Sequence, residues 1–211
     1  MSLDTVGGGA RRGAVVVVRH GETAWSAAGR HTGRTDIPLT EEGRDQAELV
    51  GTRLAGRRFA RVLTSPLRRA AETCRLAGFG DVAQACTDLL EWDYGAYEGR
   101  TTLDIRRERP GWLLWTDGVP GGESAADVGR RADRVIAAAR GTDGDVALFA
   151  HGHLLRVLAA RWLGLEPDAG RLFALSPATI GVLGHERGAP VMLCWNDGAH
   201  FESGWCDEPA D

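Results

Sequence analysis

Five consecutive apolar residues, Ala14 to Val18, constrain the fold of this chain more than any other segment. Four of the five are valines, and the lack of polar alternation is typical of a strand buried on both faces in a parallel sheet. A sheet of that kind needs helices on both of its faces. The run leads directly into Arg19-His20-Gly21. The sequence therefore predicts an α/β fold with a histidine at the carboxyl end of its first strand.

The same order of strand, turn and helix recurs along the chain. Residues 61–64 and 145–150 are predicted as short strands, and a helical pattern follows each of them. Ser65-Pro66 suits the start of the first of these helices, because serine caps helix N-termini and proline fits the first helical position. That helix should reach about Ala77. Two more helices are predicted, from Thr40 to Leu54 and from Ser124 to Ala139.

The last part of the chain has a different pattern. Residues 179–185 and 191–196 are predicted as strands joined by the turn-forming residues 186–189. A hairpin here predicts an antiparallel edge on the sheet. The expected architecture is a three-layer α/β sandwich: a mostly parallel central sheet with helices on both faces and an antiparallel edge strand.

The length of 211 residues predicts one compact domain, which we place at residues 13–211. The polar, glycine-rich residues 1–12 are expected to form a flexible tail. Residues 99–122 have the weakest periodicity, and we expect them to form a lid or an insertion within the domain.

Charge and hydropathy exclude two classes of partner. The formal net charge of −4 gives no basic surface for nucleic acid or anionic membranes. No apolar run reaches the roughly 18 residues of a membrane-spanning helix. The four cysteines are widely spaced and form no CxxC pair, which favours thiols over a disulfide framework. These features predict a cytoplasmic protein and leave its oligomeric state open between monomer and homodimer.

Three predicted strand ends bring reactive side chains to one edge of the sheet. They are His20, then Ser65 with the nearby Arg68 and Arg69, and His151. Ligands of open α/β sheets bind beyond the carboxyl ends of the strands, so these groups are expected to surround one pocket.

The expected ligand of this pocket is an anion. Helix N-termini attract negative charge, and the amides of Gly152 and His153 would begin such a helix. Guanidinium groups match phosphate oxygens with paired donors, so Arg19 and one of the two arginines after Ser65 would hold a phosphoryl group. A small phosphorylated metabolite is therefore the predicted partner.

A neutral imidazole is a competent nucleophile, and we predict that His20 attacks the phosphoryl group. Neighbouring guanidinium groups would lower the pKa of His20 and keep one ring nitrogen unprotonated. The leaving alkoxide needs a proton, and Glu91 is the candidate donor because the apolar Leu90 and Trp92 and a nearby phosphate would favour its protonated form.

No metal or organic cofactor is predicted for this chemistry. The sequence has no Walker loop and no HExxH pattern, and His151-Gly152-His153 in a predicted turn is a weak metal motif. Arginine side chains would balance the phosphate charge instead.

Several segments resemble, in order, the motifs of the histidine phosphatase superfamily, which includes the cofactor-dependent phosphoglycerate mutases. The resemblance covers about residues 14–200 and rests on Arg19-His20-Gly21-Glu22-Thr23, residues 31–40, Ser65-Pro66-Leu67-Arg68-Arg69-Ala70, residues 91–99 and residues 150–156. It implies a phosphoglycerate mutase-like fold.

The resemblance also implies roles for individual residues. His20 would accept the phosphoryl group, and Glu91 would be the proton donor. Arg19, Arg69 and His151 would bind the phosphate, and this selects Arg69 over Arg68. Further phosphate or substrate contacts are predicted for Ser26, Thr32, Gly33, Tyr94, Gly152 and His153. Ser26 replaces an asparagine common among relatives and has a shorter reach. Bound phosphate or sulfate is expected in crystals.

The resemblance leaves two activities open. Phosphatases release the phosphoryl group to water, whereas mutases return it to the substrate. The segment Tyr97-Glu98-Gly99-Arg100-Thr101-Thr102 differs from the matching mutase segment. Sugar bisphosphatases and acid phosphatases of the superfamily are resembled by residues 91–95 with 97–99, residues 112–118 and residues 149–153. A phosphatase acting on sugar phosphates is the favoured hypothesis, and a mutase is the alternative.

Overall fold

The computed structural model describes residues 13–201, so the predicted tail at 1–12 and residues 202–211 of the predicted domain lie outside the described residues. Six strands form one sheet: β1 (Val15–Arg19), β2 (Arg61–Thr64), β3 (Ala83–Ala85), β4 (Val146–Ala150), β5 (Ile180–Glu186) and β6 (Ala189–Asp197). Their order is β3-β2-β4-β1-β5-β6. The first four are parallel, and β5 and β6 pair antiparallel at the other end. The predicted mixed sheet with its antiparallel edge is confirmed.

Seven helices surround this sheet in the described part of the chain: α1 (Ala24–Ala27), α2 (Glu41–Leu54), α3 (Arg68–Leu76), α4 (Thr102–Glu108), α5 (Leu114–Asp117), α6 (Ala125–Arg140) and α7 (Gly152–Trp162). Single 3-10 turns lie at Gly80–Val82, Thr87–Leu89, Gly95–Tyr97 and Pro167–Leu172.

Successive valines of β1 point to opposite faces of the sheet, as strand geometry requires. Val16 and Val18 pack with residues of α2 and α3. Val15 and Val17 pack with residues of α6 and α7. The three-layer arrangement predicted from the unbroken valine run is therefore confirmed.

The two helices predicted from Thr40 and from Ser124 begin with side-chain caps. The Thr40 hydroxyl accepts the Gly43 amide before α2, and Ser124 forms a capping box with Asp127 before α6. Each cap satisfies amides that the first turn of a helix leaves without a partner inside the helix.

The predicted helix start at Ser65-Pro66 is wrong, because α3 begins at Arg68. The Ser65 hydroxyl lies 2.7 Å from Nε2 of His151 and is not the cap of α3. The Arg68 amide instead donates to the carboxylate of Asp36 at 2.8 Å. This helix is therefore capped from a loop that lies 32 residues earlier in the chain, a contact that local sequence does not reveal.

The β5–β6 hairpin turns at Arg187-Gly188, where both residues have positive φ (50° and 85°). Turns of this kind match the twist of antiparallel strands and favour glycine. The hairpin predicted over residues 186–189 is confirmed. Strand β5 begins and ends one residue later than predicted, and β6 begins two residues earlier and ends one residue later.

Residues 99–122 contain α4 and α5, and Ile105, Trp112 and Leu114 are buried in the core beside α6 and α7. Movement of this segment as a lid stays a prediction. Between residues 13 and 201, none of the helices combines the length and the apolar character needed to cross a membrane.

Candidate active site

The two histidines predicted at strand ends lie side by side. Arg19 of β1 pairs in register with Ala150 of β4, so the next residues, His20 and His151, leave adjacent strands together. Their ring centroids are 5.2 Å apart at an interplanar angle of 62°. Both side chains are buried, with 4% of His20 and none of His151 exposed. The convergence predicted from the strand ends is confirmed.

The ring of His20 is held in one tautomer. Its Nδ1 lies 2.7 Å from the carbonyl oxygen of Gly21, which can only accept, so Nδ1 carries the proton and Nε2 has a free lone pair. Burial, then Arg69 and Arg19, hold the pKa of His20 well below its usual value. The result is a neutral imidazole whose basic nitrogen is unprotonated, the form that a nucleophile requires.

Gly21 allows the His20 loop to approach α2. A Cβ at Gly21 would lie 2.1 Å from the carbonyl oxygen of Gly43, and a Cβ at Gly43 would lie equally close to the carbonyl oxygen of Glu22. Only glycine fits at both positions. The Arg19-His20-Gly21 motif is therefore partly a packing requirement.

Arg69 is fully buried and rigidly held, whereas the neighbouring Arg68 is exposed. Nη1 of Arg69 donates to the Thr35 carbonyl at 3.0 Å, and Nη2 of Arg69 donates to the carbonyls of Thr32 and Gly33 at 3.0 and 2.9 Å. Its Nε donates to Nδ1 of His151 at 3.1 Å. These bonds fix the guanidinium against the pair of histidines.

His151 is a neutral ring in the opposite tautomer. Because Nδ1 accepts from Arg69, Nε2 carries the proton and donates to the Ser65 hydroxyl at 2.7 Å. Burial, then Arg69, lower the pKa of His151 well below its usual value. Both ring nitrogens are thus engaged in this structure, and direct phosphate binding by His151 stays a prediction.

Arg19 supplies an unused donor. Its Nη1 donates to the carbonyl of Leu175, while its Nε is buried and has no hydrogen-bond partner among residues 13–201. Unpaired buried donors are rare in native proteins and cost stability, so a ligand acceptor is indicated. A Cβ at Gly152 would lie 3.3 Å from this guanidinium, which explains a glycine at the start of α7.

The Glu91 carboxylate is 4% exposed and accepts three backbone amides, from Trp92, His153 and Leu154, at 2.9 to 3.0 Å. Two of these amides form the N-terminus of α7 that we predicted to face the substrate. The helix does bind an anion, but that anion is the Glu91 carboxylate, so the predicted role of the His153 amide is wrong.

The loop that carries Glu91 is fastened to α6 by Arg131, which sequence reasoning missed. Arg131 forms a bidentate ion pair with Glu123 at 2.8 Å. Its Nη1 also donates to the carbonyls of Asp88 and Leu90. The only signal in the sequence was an arginine within the helical pattern of α6, at a position that the structure shows to be buried.

Two predicted substrate contacts have other partners. The Ser26 hydroxyl donates to the Thr23 carbonyl at 3.0 Å, and it accepts the Thr23 amide at 2.9 Å, which completes the capping box of α1. The Gly33 amide donates to Glu98 at 2.8 Å, so the predicted contact between this amide and substrate is not supported. Ser26 and Thr32 still line the cleft, and their substrate contacts stay predictions.

Glu98 organises the loop that holds Arg69. One carboxylate oxygen accepts both the Gly33 and the Thr35 amides, at 2.8 and 3.0 Å. The carbonyls of the same loop accept from Arg69. Glu98 therefore positions Arg69 through the backbone of this loop.

Tyr94 and His153 form a second polar pair on the cleft wall. The Tyr94 hydroxyl lies 2.6 Å from Nδ1 of His153. Burial raises the pKa of Tyr94 and lowers the pKa of His153, each well beyond its usual value. Tyr94 is therefore the donor and His153 the neutral acceptor, and both side chains line the cleft as predicted.

One open cleft of about 1110 Å³ contains His20, Arg19 and Glu91. Three arginines on its wall, Arg30, Arg156 and Arg171, were not predicted as site residues. Residues 13–201 contain no cluster of three or more histidine, cysteine, aspartate or glutamate side chains suited to a metal ion.

Known proteins are similar to this chain in sequence and in fold. An acid phosphatase from Mycobacterium tuberculosis is 46% identical over 184 residues, which cover 85% of this chain and 90% of that protein. A sedoheptulose 1,7-bisphosphatase from Saccharomyces cerevisiae is 37% identical over 183 residues, covering 71% of this chain and 67% of that protein. The solved structure of an open reading frame product from M. tuberculosis has a TM-score of 0.84 at 44% identity, covering 88% of this chain and 98% of its own.

These relatives define the class of protein as a phosphoric monoester hydrolase, and the paired histidines at the sheet edge are consistent with it. The family model of the histidine phosphatase superfamily (branch 1) matches residues 15–198, and the chain belongs to that superfamily.

Proposed function

We propose that this chain hydrolyses phosphate monoesters of small metabolites, without a metal, through a phosphohistidine on His20. The observation that carries the proposal is the state of the His20 ring: neutral, fixed by the Gly21 carbonyl, and flanked by two arginines. A ring in this state has its Nε2 lone pair ready for in-line attack on phosphorus.

In the first step, Nε2 of His20 forms a bond to phosphorus as the bond to the ester oxygen breaks. Arg19 and Arg69 balance the charge on the remaining phosphoryl oxygens. The departing alkoxide takes a proton from the Glu91 carboxyl group, which becomes a carboxylate.

In the second step, the Glu91 carboxylate removes a proton from water as the water oxygen attacks phosphorus. The bond to Nε2 breaks, and His20 returns to its neutral state. Inorganic phosphate leaves and Glu91 is again a carboxylic acid, so the cycle balances without a redox or metal partner.

The proposed substrates are sugar phosphates and related small esters. The names of the relatives support this class, since one is an acid phosphatase and another a sugar bisphosphatase. For the compartment we propose the cytoplasm, where the free thiols of Cys74, Cys86 and Cys194 would stay reduced.

The test is a hydrolysis screen with p-nitrophenyl phosphate, sugar phosphates and phosphoglycerates, with and without EDTA. We expect release of inorganic phosphate at the same rate in both conditions, because arginines supply the charge. Loss of activity with EDTA would contradict the metal-free mechanism. Formation of an isomer faster than free phosphate would show the mutase instead.

A further inference from the structure

Arg156 lies on the cleft wall one helical turn after the start of α7. It follows Gly152 by four residues and His153 by three, so the three share one face of the helix. Helical side chains lean toward the N-terminus of their helix, which directs Arg156 back toward the cleft. Arg156 and His153 both line that cleft.

The guanidinium of Arg156 is held by neutral groups. Its Nε donates to the carbonyl of Gly170 at 3.1 Å, and its Nη2 donates to the carbonyl of Arg171 at 3.3 Å. Its Cζ lies 4.8 Å from the centre of the Trp115 ring. Two of its five N–H donors are used by these bonds, so three are available to a ligand.

No carboxylate lies within 4.0 Å of this cation among residues 13–201, whereas Arg171 beside it is paired with Asp168. Burial, then Arg19, lower the pKa of Arg156 to about 10, which leaves it charged near neutral pH. The nearby rings of His31 and His153 are neutral, because burial lowers the pKa of each. Glu91 acts on Arg156 only from beyond contact distance. A half-buried cation with no carboxylate in contact is costly, and an anionic ligand would offset that cost.

Arg156 is anchored to a different segment from Arg69. It donates to the carbonyls of Gly170 and Arg171, whereas Arg69 donates to the carbonyls of Thr32, Gly33 and Thr35. Residues of both regions, His20 and Arg156 among them, line the same cleft of about 1110 Å³.

The geometry points to a second anion site: we propose that Arg156 binds a phosphate or carboxylate on the substrate while Arg19 and Arg69 hold the phosphoryl group that reacts with His20. The proposal rests on the proposed function and narrows its substrates to small phosphate esters that carry a second anionic group.

The arginines on and directly after α4 do not line the cleft. Arg106, Arg107 and Arg109, on and after α4, are exposed. Arg107 pairs with Asp104, and Arg109 donates to the Tyr97 hydroxyl. Their sequence pattern is that of a solvated helix face.

The test compares substrates that differ in the second anion. One set is fructose 1,6-bisphosphate against fructose 1-phosphate and fructose 6-phosphate, and the other is 3-phosphoglycerate against glycerol 3-phosphate. We expect Arg156→Met to lower kcat/KM for the doubly anionic member of at least one set about 10- to 100-fold more than for its partner, as loss of a charged hydrogen bond predicts. A larger loss for fructose 1,6-bisphosphate would indicate that Arg156 binds a phosphate, and a larger loss for 3-phosphoglycerate would indicate a carboxylate.

Arg161→Met is the matched control, since Arg161 lies on the same helix but pairs with Asp133. This variant should leave all ratios of kcat/KM unchanged. An equal loss for both members of each set would place Arg156 at the reacting phosphate, and no loss would remove it from the binding site; either result overturns the proposal. If the unmodified protein hydrolysed no phosphate ester, the proposed function itself would fail.

Discussion

Replacing His20 with asparagine is expected to lower kcat for every phosphate ester at least about 10⁴-fold, a typical scale for removal of a catalytic nucleophile. Asparagine retains an N–H that can donate to the Gly21 carbonyl, as Nδ1 of His20 does, but its amide cannot attack phosphorus. The loss should therefore appear in steady-state phosphate release while thermal unfolding shows a folded protein.

His185→Asn provides the control for this variant. His185 lies on β5 against Trp162, outside the residues that line the cleft. Its replacement should leave kcat close to that of the unmodified protein. A His20→Asn variant that stays folded and keeps more than a tenth of the activity would exclude His20 as the nucleophile.

Replacing Glu91 with glutamine is expected to lower kcat about 10²- to 10⁴-fold for sugar phosphates, the usual contribution of general acid–base catalysis. The loss in the first step should depend on the leaving group. A sugar alkoxide needs a proton to leave, whereas p-nitrophenolate leaves readily without one. With p-nitrophenyl phosphate, the first turnover should therefore stay fast and the second step, which needs a base, should become slow.

That dependence separates proton transfer from a structural effect. The Glu91 carboxylate accepts amides from α7, so glutamine also weakens the start of that helix. A distorted helix would slow both substrates alike in a single turnover. Rapid-quench measurement of the first turnover therefore distinguishes loss of proton donation from distortion of the helix. Equal losses of first-turnover rate for the two leaving groups would contradict Glu91 as the acid.

The sequence was sufficient to predict a mostly parallel sheet with an antiparallel edge, although the short edge strand β3 was not predicted. The unbroken run Val15–Val18 required two covered faces, and the strand ends placed His20 beside His151 before any contact was known. These features depend on local pattern and on the geometry of parallel strands, which short segments of sequence encode well.

The errors and omissions concern partners that are distant in sequence. Asp36 caps α3 in place of Ser65. The amides of α7 bind Glu91, which lies more than 60 residues earlier. Each of these contacts joins two segments whose own sequences do not identify the partner. No local propensity distinguishes such partners from other polar residues.

Gly33 shows how a site residue can be predicted for the wrong reason. The motif suggested a substrate contact, but a Cβ here would lie 2.5 Å from both the Glu98 carboxylate and the Trp92 carbonyl. Its carbonyl accepts from Arg69. The glycine thus serves the phosphate site by letting a loop pack closely.

The most direct test of the account is isolation of the phosphorylated intermediate. The protein is mixed with a ³²P-labelled phosphate ester, quenched in alkali within milliseconds, and digested for peptide analysis. The account predicts label on the peptide that contains His20, stable in alkali and released by acid, and no label on His20→Asn. Label that is stable in acid, or that remains on the His20→Asn protein, would contradict a phosphohistidine at this position.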